Sequence, residues 1–402
     1  MRSLEDYRTI VSDEIIGMIY KKVRHLYGKH ILNISSTYLG GGVAEILNSF
    51  IPLMNNIGID AGWRILHGTP DFFTVTKKFH NALQGKNIHF TDIKKRLYAD
   101  TNEAFASYTH INHDCVIIHD PQPLPLIKFN RKRQPWVWRC HIDLTKPQED
   151  VWEYLKTFVL RYDIVILSDE KYTKPDLPVE QRIIYPSIDP LSLKNKDLEE
   201  KDIKKYVQKF DIPTDKPILL QVSRFDPWKD PEGVLEVFKL VRESIDCRLI
   251  YCYNLAMDDP EGMKIYSKML KKAERLISKK EVIFVMGDNQ FLVNVLQRIA
   301  SVVIQKSIRE GFCLAVTEAM WKERPIVASN IGGIPLQIED GMNGFLVEPH
   351  DKEVFARRII KIMKDPKLAD RLGKEAKETV RKRFLITRHL LDYLDLLNDV
   401  IK

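Results

Sequence analysis

The sequence predicts an α/β protein with two Rossmann-like domains that face each other across a cleft. Short apolar runs alternate with amphipathic helical patterns along almost the whole 402-residue chain. The alternation occurs in two halves of similar length, and a segment rich in proline, serine and charge separates them. Continuously apolar strands that alternate with helices are typical of parallel sheets covered by helices on both faces.

The predicted strands are the apolar runs, and the predicted helices are the amphipathic stretches between them. The strands of the first half are 30–35, 63–67, 115–119, 136–142, 163–168 and a last run at 182–185, with helices at 43–57, 92–108 and 148–160. The strands of the second half are 218–223, 248–253, 282–286, 302–306, 326–329 and 345–348, with helices at 231–244, 263–278, 291–300 and 314–322. Ligands of open parallel sheets bind outside the carboxyl ends of the strands, so the loops that follow strands are the candidate sites.

The break between the domains falls in YPSIDPLSLKNKDLEEKD, residues 185–202. We predict a first domain over 1–187, a second domain over 188–383 and a C-terminal helix over 384–402. The C-terminal helix carries an apolar stripe at helical spacing, made of Leu390, Leu391, Leu394, Leu397 and Ile401. This stripe needs a partner surface, either on the second domain or back on the first domain, and the pattern alone does not separate the two.

Composition and charge exclude several classes of protein. No apolar run approaches the length of a membrane span, and the N-terminus lacks a signal-peptide pattern, so we expect a cytoplasmic protein. The five cysteines form no CxxC pair, which predicts buried thiols and neither disulfides nor a zinc site. The net charge of +7 is spread over short, distant basic segments without a nucleic-acid motif, so we expect solvated faces and no nucleic-acid binding.

A glycine loop, SSTYLGGGVAE at 35–45, follows the first strand and opens a helix at Val43. Gly40, Gly41 and Gly42 allow close approach of a ligand, and the helix N-terminus offers amide donors and a positive dipole end. The pattern is not GxGxxG, which disfavours a dinucleotide. A flexible strand–helix turn is the alternative, although three glycines carry an entropic cost that makes it less attractive.

Two cations lie in the next such loop, QVSRFDPWKDPEGVLEV at 221–237. Arg224 and Lys229 follow a strand and precede a helix. A forked guanidinium and a compact ammonium that converge at a strand end suit a diphosphate. A surface pair with Asp226 and Asp230 is the alternative in isolation, and the position of the loop in the architecture favours the ligand.

Two glutamates bracket the stretch SIREGFCLAVTEAM at 307–320. Glu310 lies in the predicted turn and Glu318 on the helix, and eight residues of helix rise about 12 Å. The two carboxylates therefore cannot act on one atom, but they can bind distant hydroxyl groups of one extended ligand. The amides from Phe312 to Leu314 would lie between them and bind an anion. The alternative is a dipole-complementing Glu310 and a solvated Glu318.

A fourth loop, SNIGGIPLQIEDGMNGFLVEP at 329–349, also follows a strand. Its Asp340-Gly341 and Asn343-Gly344 dipeptides predict turns. Gly332 and Gly333 are structural or allow close approach of a ligand.

These loops together resemble the nucleotide-sugar half of retaining glycosyltransferases of family 4, which have the GT-B fold. The segments SRFDPWKDP, SIREGFCLAVTEAMW and SNIGGIP carry the resemblance in this order and spacing. Three further segments, GGGVAEIL, IIHDPQPLPL and WVWRCHIDL, resemble in particular the subgroup of trehalose glycosyltransferring synthases and trehalose phosphorylases. Two positions depart from the family pattern. The family often has Gly or Pro at the position of Cys313 and Gly at the position of Glu323, and we expect little effect of either difference.

The resemblance implies a role for each candidate residue. Arg224 and Lys229 would hold the donor diphosphate, and Glu310 would bind hydroxyls of the donor glucose. Donor-binding residues would also be Gly40, Gly41, Gly42, Gly311, Phe312, Cys313 and Leu314, together with Glu318, which would bind the ribose. His119 would approach the donor sugar near the anomeric carbon, and His141 and Asp143 would line the acceptor pocket. A strand-end histidine satisfied by backbone is the alternative for His141.

The resemblance implies a retaining transfer of glucose from a nucleoside-diphosphate glucose, such as UDP-glucose or ADP-glucose, to free glucose. We expect no cofactor and no metal, since no DxD-like cluster follows a strand, and we expect a homodimer. No carboxylate is placed for double displacement, so front-face attack is favoured. Trehalose phosphorolysis or another acceptor is the main alternative, followed by epimerisation of a nucleotide sugar, a sensor without activity and a nucleic-acid binder.

Overall fold

The structure, a computed structural model, describes residues 2–38, 40–254 and 260–401, without the side chains of residues 260 and 261. Leu39 of the glycine loop lies outside these ranges. The chain divides into two compact units, one made of Met1–Ser187 with Ile386–Lys402 and the other of Ile188–Leu385. Each unit is an α/β structure with its own parallel sheet.

The first unit contains a parallel sheet in the order β2-β1-β3-β4-β5-β6. Its strands are β1 (His30–Ser35), β2 (Asp60–Ile65), β3 (Cys115–His119), β4 (Trp136–Arg139), β5 (Ile164–Leu167) and β6 (Glu180–Ile183). Its helices are α1 (Asp13–Val23), α2 (Gly42–Asn56), α3 (Pro70–Leu83), α4 (Asp92–Tyr108), α5 (Leu126–Phe129) and α6 (Glu149–Val159). The strand order reverses between β1 and β3, the position where such sheets bind ligands.

The second unit contains a parallel sheet in the order β12-β11-β10-β7-β8-β9, which reverses between β7 and β10. Its strands are β7 (Ile218–Arg224), β8 (Arg248–Asn254), β9 (Val282–Met286), β10 (Val302–Gln305), β11 (Ile326–Ser329) and β12 (Phe345–Val347). Its helices are α7 (Glu200–Lys209), α8 (Pro231–Arg242), α9 (Pro260–Ser278), α10 (Gln290–Ile299), α11 (Leu314–Trp321), α12 (Lys352–Lys364) and α13 (Pro366–Arg383).

The last helix, α14 (Ile386–Val400), belongs to the first unit. His389 and Tyr393 pack against Phe50 of α2, with ring centroids 5.2 and 4.9 Å away. The amide of Asn398 donates to the backbone oxygen of Lys22 at the end of α1, over 2.9 Å. The apolar stripe of α14, which includes Leu390, Leu394 and Leu397, is buried by these contacts.

The predicted fold class is confirmed, since both halves are parallel α/β structures. The central strands are buried because their continuously apolar residues are covered by helices on both faces. The strand ends that differ most from the prediction are in β2, which begins at Asp60 and not at the predicted 63, and in β4, which ends at Arg139 and not at the predicted 142. β4 ends early because the amide of His141 donates to the carboxylate of Asp120, over 2.8 Å, and not to the neighbouring strand.

All five cysteines are buried thiols, as the sequence predicts. Across the described part of the chain, no helix is long and apolar enough to cross a membrane.

Candidate active site

The reversal of the second sheet brings together the loop after β7 and the loop after β10. The backbone amide of Ile308 donates to the oxygen of Trp228 over 2.7 Å and joins the two loops. Two ion pairs, Lys229–Glu310 and Lys306–Asp230, flank this hydrogen bond. The predicted cation loop and the predicted glutamate loop therefore form one structure at the carboxyl ends of β7 and β10.

Lys229 and Glu310 form a direct, largely buried ion pair. Their side chains are 18% and 13% exposed. Burial alone would lower the pKa of Lys229, but the adjacent Glu310 carboxylate offsets burial and raises that pKa. Ser307 Oγ lies 3.4 Å from Glu310 Oε2. The site thus holds a charged ammonium and a carboxylate side by side, which suits a ligand that has both phosphate and hydroxyl groups.

Arg224 is the last residue of β7 and is more exposed than Lys229. Its guanidinium lies 3.7 Å from the carboxylate of Asp226, and its side chain is 40% exposed. The same carboxylate accepts a hydrogen bond from the amide of Trp228, over 2.9 Å, and so caps the turn that carries Lys229. Asp226 therefore orders the loop that carries both cations.

The loop before α11 is held in a conformation that few residues adopt. Cys313 has a φ of 75° and forms the N-cap of α11, which begins at Leu314. Burial raises the pKa of the Cys313 thiol to about 12, so the thiol stays neutral at physiological pH. A Cβ at Gly333 would lie 2.5 Å from the backbone oxygen of Gly311. Gly333 thus allows the loop after β11 to pack against the backbone of Gly311 and Phe312.

Glu318 lies in the second turn of α11 and is 1% exposed. Its carboxylate is 2.8 Å from the ammonium of Lys194 and 3.4 Å from the amide of Gln297. Glu318 is therefore a buried, paired carboxylate and not a solvated charge. Glu318 pairs with Lys194, whereas Glu310 pairs with Lys229. The two carboxylates thus have different partners, in keeping with the prediction from their spacing that they do not act on one atom.

The glycine loop of the first unit uses positive backbone angles. Gly40 and Gly41 have φ of 72° and 85°, and Gly41 is the N-cap of α2, which begins at Gly42. A Cβ at Gly40 or Gly41 would meet no described atom within 4 Å. Glycine is therefore required here by backbone conformation and not by packing.

His119 ends β3, and its buried ring bridges two other side chains. Nε2 lies 3.0 Å from Asn33 Oδ1, and Nδ1 lies 3.2 Å from Nε2 of His141. Burial, assisted by the nearby Arg139 guanidinium, lowers the pKa of His119 to about 3. Burial also lowers the pKa of His141 well below its usual value. Both rings are neutral at pH 7, and His141 bonds to a side chain, which differs from the backbone-satisfied alternative.

The hydrogen bonds of the Asp143 carboxylate are made with Thr145 and not with the two histidines. The carboxylate accepts hydrogen bonds from the amide and the hydroxyl of Thr145, and the amide bond is 2.8 Å long. The carboxylate therefore orders the turn that follows His141.

Sequence reasoning missed several residues that contact Glu318 or join the loops around Lys229 and Glu310. Lys194 pairs with Glu318 from a distant segment, while Lys306 and Asp230 clamp the loops around Lys229 and Glu310. A Cβ at Gly233 would clash with the Lys306–Asp230 pair, which explains a glycine in the first turn of α8. Lys306 had a visible signal, because a lysine directly follows the buried run VVIQ.

Removal of the Lys306 ammonium is expected to destabilise the second unit. Lys306 is 1% exposed and Asp230 is 19% exposed, so Lys306→Met leaves a poorly hydrated carboxylate without its cation. We expect the free energy of unfolding to fall by about 3–4 kcal/mol, the lower part of the range for broken buried pairs, because Asp230 keeps some solvent contact. Urea unfolding followed by circular dichroism measures the change. Lys205→Met, at an exposed position of α7, is the matched control; equal effects of both variants would contradict the clamp.

The low pKa of His119 predicts acid sensitivity. Between pH 6.5 and about 3 the unfolded chain binds a proton on this ring that the native chain does not, so stability falls as pH falls through this range. Asp120 acts in the opposite sense, since burial raises its pKa to about 6 and the native state holds that proton. His119→Gln should therefore gain stability relative to the parent by about 1.4 kcal/mol per pH unit between pH 6 and 4.

Urea unfolding at several pH values measures this difference. His110→Gln, at an exposed histidine of the same unit, is the control. A constant difference between His119→Gln and the parent over pH 6 to 4 would show that His119 titrates normally in the folded state.

Among the described residues, no group of three or more His, Cys, Asp or Glu side chains is arranged to hold a metal ion.

Comparison with known proteins agrees with this geometry. Residues 33–174 match the family model "Trehalose synthase, N-terminal domain", and residues 202–379 match "Glycosyl transferases group 1". The chain is 46% identical to trehalose synthase of Thermococcus litoralis over 401 residues, covering 99% of this chain and 97% of the relative. It is 29% identical to trehalose phosphorylase of Pleurotus pulmonarius, covering 94% of this chain and 58% of that protein.

A solved structure, Anabaena HepE in complex with UDP-glucose, has the same fold. Its TM-score is 0.70 at 18% identity, over 92% of this chain and all (100%) of that chain. The two parallel α/β units, the matched family models and the high identity over the full length agree. The chain is a glycosyltransferase of GT-B fold that belongs to the trehalose synthase family.

Proposed function

We propose that the protein transfers glucose from a nucleoside-diphosphate glucose to free glucose and forms trehalose with retained α configuration. The ion pair of Lys229 and Glu310 at the reversal of the second sheet carries this proposal. This pair supports the proposal because a cation for the leaving diphosphate and a carboxylate for the sugar hydroxyls are the groups needed on the two sides of the bond to be broken.

The diphosphate is held by Arg224 and Lys229. Departure of the nucleotide builds negative charge on the β-phosphate, and fixed cations stabilise that charge without a proton transfer. The amides of Gly311, Phe312, Cys313 and Leu314, at the N-terminus of α11, add hydrogen-bond donors and a positive dipole end. The loop of Gly40, Gly41 and Gly42 covers the donor phosphates, and this chemistry needs no metal ion and no cofactor.

The donor sugar and ribose are bound by the two glutamates. Glu310 accepts hydrogen bonds from glucose hydroxyls while its pair with Lys229 holds the carboxylate in place. Glu318 accepts hydrogen bonds from the ribose hydroxyls, and these hydrogen bonds replace its ion pair with Lys194 when the donor binds. His119 lies beside the anomeric carbon, and His141 and Asp143 lie on the acceptor side.

Retention follows from attack of the acceptor hydroxyl on the face that the diphosphate leaves. Double displacement would need a carboxylate beneath the anomeric carbon, and Glu310 is committed to hydroxyls. Neither neutral histidine is a strong base at pH 7, since the pKa of His119 is about 3 and that of His141 is also lowered. The departing phosphate therefore takes the proton of the acceptor hydroxyl.

An acceptor screen tests the proposal. The purified chain is incubated with UDP-, ADP- or GDP-glucose and with a panel of sugars, and products are identified by mass and by the anomeric couplings in their NMR spectra. We expect α,α-trehalose and free nucleotide only when glucose is present. Nucleotide-sugar turnover without an acceptor, or a β linkage in the product, would contradict it.

Trehalose phosphorolysis is the second candidate function, because the Pleurotus pulmonarius relative is a trehalose phosphorylase. That relative matches over 58% of its own length, which favours the synthase reaction. Phosphate-dependent release of glucose from trehalose, without a nucleotide, would identify the phosphorylase.

We also propose that the protein is a cytoplasmic homodimer. Light scattering of the purified chain gives its mass in solution, and a mass of one chain would contradict the dimer.

A further inference from the structure

We propose that Asn33 is a positioning residue that fixes, through His119, the tautomer of His141, so that Nδ1 of His141 accepts a hydrogen bond from a hydroxyl of the acceptor sugar. This inference rests on the proposed function for the identity of the sugar. The fixed chain of Asn33, His119 and His141, here called the histidine relay, lies entirely within the first unit.

The relay begins at a polar residue in an apolar strand. Asn33 is fully buried in the middle of β1, and its neighbour across the sheet is Ile117 of β3. Alternate residues of a strand point to the same face, so His119 follows Ile117 on the side of Asn33. The amide nitrogen of Asn33 faces the backbone oxygen of Gly62, 3.4 Å away, which directs its oxygen towards His119. A fully buried amide in a strand core is costly unless it is hydrogen-bonded, so its retention here needs a reason.

The orientation of the Asn33 amide determines which ring nitrogen of His119, and in turn of His141, carries the proton. Asn33 Oδ1 is an acceptor, so Nε2 of His119, 3.0 Å away, carries the proton. A neutral imidazole has one N–H, so Nδ1 of His119 is an acceptor, and it accepts a hydrogen bond from the Nε2–H of His141 over 3.2 Å. The ring of His141 then has its single proton on Nε2, and Nδ1 carries a lone pair.

That lone pair has no hydrogen bond from any of the residues that the structure describes. The backbone amide of His141 donates to the Asp120 carboxylate, and His141 as a residue is partly exposed, whereas His119 and Asn33 are buried. The relay therefore leads from the strand core to one hydrogen-bond acceptor, Nδ1 of His141, at the carboxyl edge of the sheet. A hydroxyl group can donate a hydrogen bond to this atom, and the sugar that receives the glucose has several hydroxyl groups.

The low proton affinity of both rings distinguishes this arrangement from a catalytic base. Burial and the nearby guanidinium of Arg139 keep both histidine rings neutral, so His141 binds a hydroxyl without removing its proton. The titratable groups near the two rings are Arg139 and, for His141, His389 of α14, whose pKa is also lowered by burial, while Asp120 accepts from the backbone amide of His141. Asn33 thus affects affinity for the acceptor and not the chemical step.

The first test is spectroscopic and does not depend on activity. Histidine is labelled with ¹⁵N in the full-length chain, and two-bond ¹H–¹⁵N correlation spectra identify the protonated nitrogen of each ring, assigned with His119→Gln and His141→Gln. We expect the Nε2–H form for both His119 and His141. A proton on Nδ1 of His141 in the parent chain overturns the relay, whatever the variants do.

The variants separate the relay from simple packing. Asn33→Leu removes the acceptor, and we expect mixed tautomers of His141. Asn102→Leu is the matched control, since Asn102 is also a fully buried amide of the first unit that donates to backbone oxygens. It should leave both histidine signals in place. Unchanged tautomers in a folded Asn33→Leu chain overturn the role of Asn33.

The second test concerns the sugar. Asn33→Leu should raise KM for glucose about 5- to 10-fold, the effect of one neutral hydrogen bond, which is more than it changes KM for the donor or kcat. A set of monodeoxyglucoses should contain one sugar for which the penalty vanishes, because that sugar lacks the hydroxyl in contact. A change confined to the donor KM overturns the acceptor contact. If no donor gives transfer to glucose, the proposed function and the acceptor assignment fail together, and the spectrum still decides on the relay.

Discussion

Replacement of Glu310 by Ala is expected to lower kcat by about 10²- to 10³-fold, while the affinity for the nucleotide diphosphate changes little. The carboxylate is proposed to contact the donor glucose, and that contact strengthens as positive charge develops on the sugar ring. The nucleotide is held by Arg224 and Lys229, which the substitution leaves in place. Steady-state kinetics with varied donor, together with calorimetric titration of UDP or ADP, measure the two quantities separately.

A second substitution asks what the carboxylate does. Glu310→Gln keeps the ability to hydrogen-bond hydroxyls but removes the charge. If Glu310 only orients the glucose, Glu310→Gln should retain most of the activity; if it stabilises the developing positive charge, Glu310→Gln should resemble Glu310→Ala. Glu243→Ala, at an exposed position just after α8, is the control for loss of a carboxylate in the same unit. Equal losses of turnover and of nucleotide affinity in Glu310→Ala would argue against its contact with the sugar.

Lys229→Met is expected to lower kcat by about 10²- to 10³-fold and to weaken nucleotide binding as well. Lys229 is largely buried, and the Glu310 carboxylate raises its pKa, so the ammonium is charged when the diphosphate departs. Without it, Glu310 places a negative charge beside the leaving phosphate. The change in kcat exceeds that expected for uniform binding, which would alter KM alone.

Three variants test this explanation. Lys229→Arg keeps the charge and should retain part of the activity, although the guanidinium does not fit the contact with Glu310 in the same way. The double variant Lys229→Met/Glu310→Gln should lose less than the sum of the single variants, because it removes the uncompensated carboxylate. Lys239→Met, at an exposed position of α8, should be neutral. An unchanged kcat in Lys229→Met would contradict a role in the departure of the nucleotide.

The elements of the fold could be predicted because their signals are local. Strands such as His30–Ser35, Cys115–His119 and Val282–Met286 have the predicted bounds, since continuous apolar runs between turns have few alternatives. Aspartate followed by proline also marks the starts of helices, as at Asp230–Pro231 and Asp365–Pro366, where the aspartate side chain accepts a hydrogen bond from the first turn.

The partners of the site residues could not be predicted in the same way. Lys194 and Glu318 are far apart in the sequence, and nothing local in either segment indicates that they meet. The pairing of His119 with His141 depends on the order of β3 and β4 and on the turn of the chain at Asp120. Polar residues in apolar runs were the available signal: Asn33 within HILNIS and Lys306 at the end of VVIQK both have contacts that explain them.

The position of α14 has a consequence for biosynthesis. The residues of α14, which complete the first unit, are made after the whole second unit, so the surface of α1 and α2 that α14 contacts lacks this helix while the second unit is synthesised. Domains usually fold as units in the order in which they emerge from the ribosome. Here the second unit is the one whose sequence is continuous, so it is able to reach its native state on the nascent chain. The first unit acquires α14 only after the second unit has been synthesised.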